Sequence, residues 1–264
     1  MRAFFGVLIV AAGVLATPAP AQNQQAVTVG VPDKVLIAVL EDLGRTFEAQ
    51  TGIAVRVVAA GTQPGAASGD VDAVLRPERT AAAGPEQRVV AFGEGVLVGS
   101  RADRARLRGL RDIRKGFRWI AAARAIYVSS SPTLGLRDLE LKLWDEAGVN
   151  VRVRSTWYSE TGGDESAVFR QAAQWGAYAL VQRATWAVQE DRRGLEILAE
   201  GDPALRTPYV SGLLRPDSPE ARQWHDWLPS EQGQAAIAAL RVNGMQVLMP
   251  LGEASEPGAS PPRT

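Results

Sequence analysis

TWYSETGGDESAVFRQAAQWGAYALVQRATWAVQEDRRGLEILAEGDPALRTP, residues 156–208, is the stretch that decides the fold of this chain. It begins as a loop that is rich in small and polar residues and then becomes periodic. Val168, Ala172 and Trp175 recur at helical spacing, so one face of a helix over residues 165–175 is expected to enter a core. The stretch therefore opens on a loop that leads into an amphipathic helix.

Two short apolar runs follow that helix and flank a second one. Residues 177–181 have the length of a strand, Arg183 stands at the start of the next helix, and residues 195–198 form another strand before the turn at 201–203. Residues 26–58 repeat this plan as strand, helix and strand within about thirty residues, the size of a βαβ unit. Alternation of this kind predicts an α/β fold with parallel strands.

The order and spacing of these residues resemble the periplasmic tungstate-binding proteins of ABC importers, a branch of the type II periplasmic substrate-binding proteins. The resemblance is carried by Trp157-Tyr158 with Thr161-Gly162, by AYALVQRAT at 177–185, and by LEILAEGDPALRTPY at 195–209. It implies two α/β lobes, each a mainly parallel sheet flanked by helices. Two crossing strands would form the hinge on which such receptors close over a ligand.

The resemblance also divides the chain into segments. Lobe I is predicted to comprise residues 27–100 and 208–250, and lobe II residues 101–207, with the first crossing near Ser100. A helix is predicted in the charge-rich segment 101–115. Residues 251–264 contain little that could be buried and are predicted to form a disordered tail.

The amino terminus has the features of a secretory signal. Arg2 supplies a positive charge, residues 4–15 are apolar, and Ala19-Pro20-Ala21 provides a cleavage site of the A-x-A type. We therefore predict a signal peptide over residues 1–21 and a mature protein in the periplasm. A lipid anchor is not expected, because no cysteine follows the signal.

Composition and motifs exclude several classes of function. The 29 basic and 29 acidic residues balance, which disfavours nucleic acid as a partner. The chain has no cysteine and a single histidine, so neither a Cys-based metal site nor a Ser–His catalytic pair is expected. The G-x-S-x-G, H-E-x-x-H and P-loop motifs are also missing. We predict a monomeric binding protein that is not an enzyme and has neither cofactor nor bound metal.

The resembled family implies a small-molecule ligand, an oxyanion, held in the cleft by helix N-termini and by Ser, Thr and Arg side chains. Most candidate contacts here stand where the resemblance places the family's binding motifs, and one lies in a turn at 61–65. The candidate ligand-binding residues are Asp33, Thr62, Ser129, Ser130, Ser131, Thr133, Gly162 and Arg183.

Several family donors are replaced in this chain. The family motif TTTS corresponds to residues 30–33, Gly-Val-Pro-Asp, and SRGDDSGTH corresponds to residues 129–137, in which Ser130 replaces the arginine. The changes remove hydroxyl and guanidinium donors and predict weakened oxyanion binding, or a neutral or cationic ligand instead. Structural explanations stay open as well: helix capping for the serines and Asp33, a plain turn for Thr62, and a structural role for Arg183.

The resemblance implies that the protein captures a small solute by hinge closure and delivers it to an inner-membrane ABC permease. The alternative is a periplasmic sensor or partner protein that keeps the scaffold, has a vestigial pocket and takes no part in transport. A hydrolase would need acidic residues that converge in the cleft with raised pKa values.

Overall fold

The computed structural model describes residues 25–32, 34–59, 71–78, 86–130, 135–153, 155–162 and 165–254. Outside these ranges lie the predicted signal peptide, most of the predicted tail, and the candidate residues Asp33, Thr62, Ser131 and Thr133. Within them, no helix is both long enough and apolar enough to cross a membrane.

Strands and helices alternate along the chain, which confirms the predicted α/β class. The first half contains β1 (Ala26–Val31), α1 (Lys34–Thr51), β2 (Ala54–Ala59), β3 (Ala73–Pro77), β4 (Glu86–Ser100), α2 (Ile113–Ala123), β5 (Tyr127–Ser129) and α3 (Gly135–Glu146). The second half contains β6 (Tyr158–Glu160), α4 (Glu165–Trp175), β7 (Ala179–Gln182), α5 (Arg183–Val188), β8 (Leu195–Ala199), β9 (Arg206–Leu213), α6 (Pro219–Trp227), α7 (Glu231–Ala239), β10 (Arg241–Val242), β11 (Met245–Gln246) and α8 (Leu251–Ala254).

Strand β4 connects two groups of strands by exchanging its partner. The first group consists of β1, β2, β3 and β9, and the second of β5, β6, β7 and β8. Its first part pairs with β9, as far as the pair formed by Glu94 and Arg206. From the next residue on, β4 pairs with β7, beginning with Gly95 and Gln182, and further along with β8. The strand order is β2-β1-β3-β9-β4-β7, with β8 also on β4. The exchange lies at Glu94–Gly95, several residues before the crossing predicted near Ser100.

The first group of strands packs on α1, α6 and α7. Strand β1 pairs in parallel with β2 and β3, whereas β9 is antiparallel to β3. The apolar stripe of α1, with the i, i+3, i+4, i+7 and i+11 spacing of an amphipathic helix, is buried throughout: Leu36, Val39, Leu40, Leu43 and Phe47. Phe47 ends this stripe against Trp224 of α6, with ring centroids 5.2 Å apart.

The second group carries helices on both faces. Helices α2 and α3 cover one face, where Phe117 packs on Trp144, and α4 covers the other face with Val168 and Phe169. The short helix α5 contributes to both groups. Ala184 and Ala187 join the core of the first group, and Trp186 joins the core of the second group. Helix α5 therefore lies where the two groups meet.

The helix predicted over residues 101–115 is wrong, because that segment is mostly turns and α2 begins only at Ile113. The carboxylate of Asp103 accepts hydrogen bonds from the backbone N–H groups of Leu107 and Arg108, at 2.9 Å each. Such side-chain-to-backbone bonds compete with a helix. Gly109 has a positive φ, which also ends any helical course before α2.

Two further predictions fail at the ends of elements. Trp175 was expected in the core, but it is 43% exposed, because α4 ends there and Gly176 turns the chain with a φ of +60°. The predicted tail began too early, because Leu251–Ala254 is helical. The backbone N–H of Leu251 donates to Gln234 at 2.7 Å, and this bond fixes the start of α8.

Candidate functional site

The directions of the strands bring several chain segments to the junction of the two groups. Strand β3 is antiparallel to β9, so the carboxyl end of β3 lies beside the start of β9, near the partner exchange in β4. Strand β7 is antiparallel to β4, so its carboxyl end at Gln182 also meets this exchange. Strand β1 runs parallel to β3. Strand β5 runs parallel to the segment that leads into β7, and β6 runs parallel to β5. The carboxyl ends of the parallel strands in both groups therefore face one another, as expected of a ligand site in an α/β protein.

Ser129 and Ser130 stand at this junction, at the end of β5, and differ in their bonding. Ser129 is fully buried, and its Oγ lies 2.8 Å from each carboxylate oxygen of Glu140. Ser130 is 2% exposed, yet its hydroxyl has no hydrogen-bond partner among the residues that the structure describes. A buried hydroxyl without a partner is unfavourable and needs an explanation. Ser130 is therefore the serine that is free to donate to a ligand.

Glu140 is the centre of a buried polar network behind Ser129. Its carboxylate accepts hydrogen bonds from Tyr158 Oη at 2.9 Å and from Trp144 Nε1 at 3.2 Å. Arg137 lies 3.5 Å from the same carboxylate and also contacts Ser129, Tyr158 and Glu160. Burial raises the pKa of Glu140 to about 6. The network joins β5, β6 and α3. The hydroxyl of Ser129 donates within this network and is therefore not available to a ligand.

Arg183 begins α5 and is buried in a second ion-pair network. Its Nε donates to Glu94 at 2.8 Å, and its Nη2 donates to Glu200 at 2.7 Å. The other oxygen of Glu94 accepts from the backbone N–H of Gly201 at 2.6 Å. Glu94 is the last residue of β4 before its partner exchange, so these bonds hold three chain segments at the junction. The cation of Arg183 is balanced by protein carboxylates.

Arg76 is a third buried arginine, and neither it nor Arg137 was among the candidates predicted from the sequence. It is the penultimate residue of β3, paired with Val210 of β9, and only 9% of its surface is exposed. Its Nε is buried without a hydrogen-bond partner in the described part of the chain. Burial lowers the pKa of Arg76. A charged residue in an otherwise apolar strand, AVLRP, was the signal that could have identified it.

The remaining candidates lie near the same junction or outside the described residues. Gly162 follows β6, which runs beside β5, and the backbone N–H of Thr161 donates to the carbonyl of Ser129 at 3.1 Å. Gly162 therefore lies close to the end of β5. No ligand contact is assigned to Asp33, Thr62, Ser131 or Thr133, which the structure leaves undescribed.

Two surface cavities lie at the opposite end of the second group of strands. They have volumes of about 260 Å³ and 490 Å³, and both are lined by Ile126 and Trp175. Ile126 precedes β5 and Trp175 precedes β7, so these cavities open at the amino ends of those strands. They are separate from the junction at which the carboxyl ends meet.

The relatives found by comparison with known proteins are an anion-binding protein and tungstate-binding proteins. The chain is 32% identical over 232 residues to a Haloferax volcanii protein named as an ABC transporter anion-binding protein, covering 80% of this chain and 67% of that one. It is 29% identical over 210 residues to the tungstate-binding protein TupA of Peptoclostridium acidaminophilum, covering 72% of each. Among solved structures, TupA from Desulfovibrio alaskensis G20 matches with a TM-score of 0.73 and 25% identity, covering 86% of this chain and 98% of that chain. No protein-family model matches.

Proposed function

Because this chain belongs to the family of ABC-transporter anion-binding proteins that includes the tungstate-binding proteins, we propose that it is the solute-binding component of an ABC importer. It captures a small oxyanion in the periplasm and delivers it to an inner-membrane permease. The relatives bind solutes and are not named as enzymes, and we assign no catalytic step to this chain.

The observation that carries the proposal is the convergence of strand ends at the junction, together with the free hydroxyl of Ser130. The carboxyl ends of β3 in the first group and of β5 and β7 in the second group face one another across the exchange in β4. In this proposal the two groups are the two predicted lobes. A ligand between them contacts both lobes, so its binding favours their approach. Closure would turn on β4 and β9, and the ligand-bound form would engage the permease as a monomer.

We propose that the donors differ from those of the tungstate-binding relatives. Ser130 donates its hydroxyl to the ligand, and the backbone at Gly162 lies beside it. Asp33, Thr62, Ser131 and Thr133 stay predicted contacts, whereas Ser129 and Arg183 support the site through their carboxylate partners. Charge-assisted hydrogen bonds contribute about 1.5–3 kcal/mol each. The loss of family hydroxyls and of an arginine should therefore weaken tungstate binding by orders of magnitude unless another cation replaces them.

The direct test is a ligand titration of the mature protein with tungstate, molybdate, sulfate and phosphate. Isothermal titration calorimetry should detect one-to-one binding of at least one of them. At a concentration a thousandfold above the dissociation constant, that anion should stabilise the protein by about 4 kcal/mol. Failure of all four to bind or to raise the melting temperature would contradict the oxyanion proposal, and the neutral and cationic solutes would then be titrated.

We predict that alanine substitution of Ser130 lowers ligand affinity, whereas that of Ser129 lowers stability. Ser130→Ala removes a buried hydroxyl that lacks a described partner, so stability without ligand should be unchanged or higher. Oxyanion affinity should fall about 2- to 10-fold, as expected for one hydrogen bond. Ser129→Ala should lower the free energy of unfolding by about 1–3 kcal/mol, because it breaks the buried bond to Glu140. Calorimetric titration and thermal denaturation of both variants separate the two roles, and equal effects would contradict the assignment.

A further inference from the structure

We infer that Arg76 is the cationic anchor for the oxyanion, supplying from lobe I the charge that Arg183 does not have free. The inference rests on the proposed function and adds to it a specific residue. Arg76 was not among the candidates taken from the family resemblance, and it lies in neither of the segments, 30–33 and 129–137, that correspond to the family motifs TTTS and SRGDDSGTH.

The register of the strands places Arg76 at the junction. Its neighbour Pro77 pairs with Tyr209 of β9, three residues after Arg206, and Arg206 pairs with Glu94 at the partner exchange in β4. At about 3.3 Å per residue, Arg76 therefore lies about 10–14 Å along the sheet from the exchange. Arginine side chains are long enough to cover much of this distance. Two inter-strand spacings of about 4.8 Å also separate β3 from β4, so the guanidinium meets a ligand at the end of β5 when the two lobes approach each other.

Arg76 is buried with an unpaired Nε and with no ion pair to the described residues, which is unfavourable for the protein alone. Moving an ionised group out of water is costly unless it is paired and hydrogen-bonded. Arg76 is 9% exposed, and no ion pair joins it to a carboxylate of the described residues. Glu78, two residues further on, is exposed. An arriving anion would supply the missing counterion.

The other buried arginines differ from Arg76 in this respect. Arg137 contacts Glu140 and Glu160, and Arg183 contacts Glu94 and Glu200. Both cations are therefore neutralised by side chains of the chain itself. Among the buried arginines of the described ranges, Arg76 is the one whose charge is left for a ligand.

The chemistry of the guanidinium indicates the class of ligand. Its planar fork of N–H donors matches two oxygens of a tetrahedral oxyanion or of a carboxylate, and such charge-assisted bonds are stronger than neutral ones. Ser130 faces the same junction from lobe II with one free hydroxyl. A small anion held by Arg76 on one side and by Ser130 on the other would bridge the lobes. This bridge would favour the closed form.

The test uses three variants of the mature protein, titrated with tungstate, molybdate, sulfate and phosphate. Arg76→Gln removes the charge, Arg76→Lys keeps the charge without the fork, and Arg56→Gln is the matched control. Arg56 is an exposed residue of β2 in the same sheet, and its partner in β1 is Thr28. We expect R76Q to weaken binding about 10- to 100-fold, R76K to bind with intermediate affinity, and R56Q to bind as the wild type does.

Thermal denaturation without ligand gives the second readout. R76Q should melt at the same temperature as the wild type or higher, because it removes a buried charge that the protein does not pair. A large fall in its melting temperature would overturn the inference, since Arg76 would then be a structural residue. Equal anion affinities of R76Q and the wild type would overturn it as well and leave the proposed function standing. A wild type that binds none of the four anions would refute both.

Discussion

Glu140→Leu should lower the free energy of unfolding by about 3–5 kcal/mol, the usual loss when one partner of a buried ion pair is removed. The carboxylate accepts hydrogen bonds from Ser129, Tyr158 and Trp144, and it neutralises part of the charge of Arg137. Leucine has similar bulk but no acceptor, so these donors would stay buried without partners. In a chain of this size the melting temperature should fall by about 6–20 °C in a thermal denaturation experiment.

Two control variants separate the network from the helix that carries it. Glu140→Gln keeps one acceptor oxygen and should lose much less stability than E140L. Glu146→Gln, on the same helix, breaks partly exposed pairs with Arg114 and Lys142 and should change stability by less than about 1 kcal/mol. If E140L were as stable as E146Q, Glu140 would not hold β5, β6 and α3 together.

The same carboxyl group predicts a pH dependence of stability. Burial raises the folded-state pKa of Glu140 to about 6, above the value of about 4.3 that is usual for an exposed glutamate. The folded protein then binds more protons than the unfolded chain between these two values. Stability should therefore fall by about 2 kcal/mol as the pH rises from about 4 to above 6. Denaturation curves at several pH values should show this loss in the wild type and not in E140Q.

Among the elements predicted correctly from the sequence are those marked by regular spacing of apolar residues within one helix. The stripe of α1 is regular over five apolar positions, and the helix over residues 165–175 has the predicted bounds. The resemblance located the framework for a reason that the structure makes plain. In the matching EGD segment, Gly201 donates to Glu94, and Asp202 accepts from the backbone N–H of Ile113 at 2.8 Å. Such residues are kept in place by the fold rather than by a ligand.

The candidate site could be predicted only in part, because its charges are balanced over long sequence separations. Arg183 was predicted correctly at the start of a helix, but its partner Glu94 is 89 positions earlier in the chain. No local pattern indicates that pair. Ser129 and Ser130 are identical in type and adjacent, and only the placement of Glu140 gives them different roles. The failure at residues 101–115 has a similar cause, since the bonds of Asp103 depend on a turn that helical spacing does not reveal.

Arg183→Met should lower the free energy of unfolding by about 3–5 kcal/mol, even without any ligand, because it leaves Glu94 buried without its cation. Glu94 is 6% exposed and would keep only the N–H of Gly201 as a partner among the described residues. The matched control is Arg152→Met, which breaks an exposed pair with Asp145 and should change stability by less than about 1 kcal/mol. Thermal and urea denaturation of both variants measure the difference.

A double-mutant cycle then determines whether Arg183 acts through Glu94 or through the ligand. The variant with both E94Q and R183M should lose less stability than the sum of the single variants, with a coupling energy of about 0.5–3 kcal/mol. Additive losses would show that the pair contributes little at the junction. If R183M instead kept the wild-type melting temperature and lost oxyanion binding, Arg183 would be the ligand contact that the family resemblance predicts. Because R76Q is expected to keep its melting temperature and lose anion affinity, whereas R183M is expected to lose stability even without ligand, comparison of R183M with R76Q decides which arginine faces the anion.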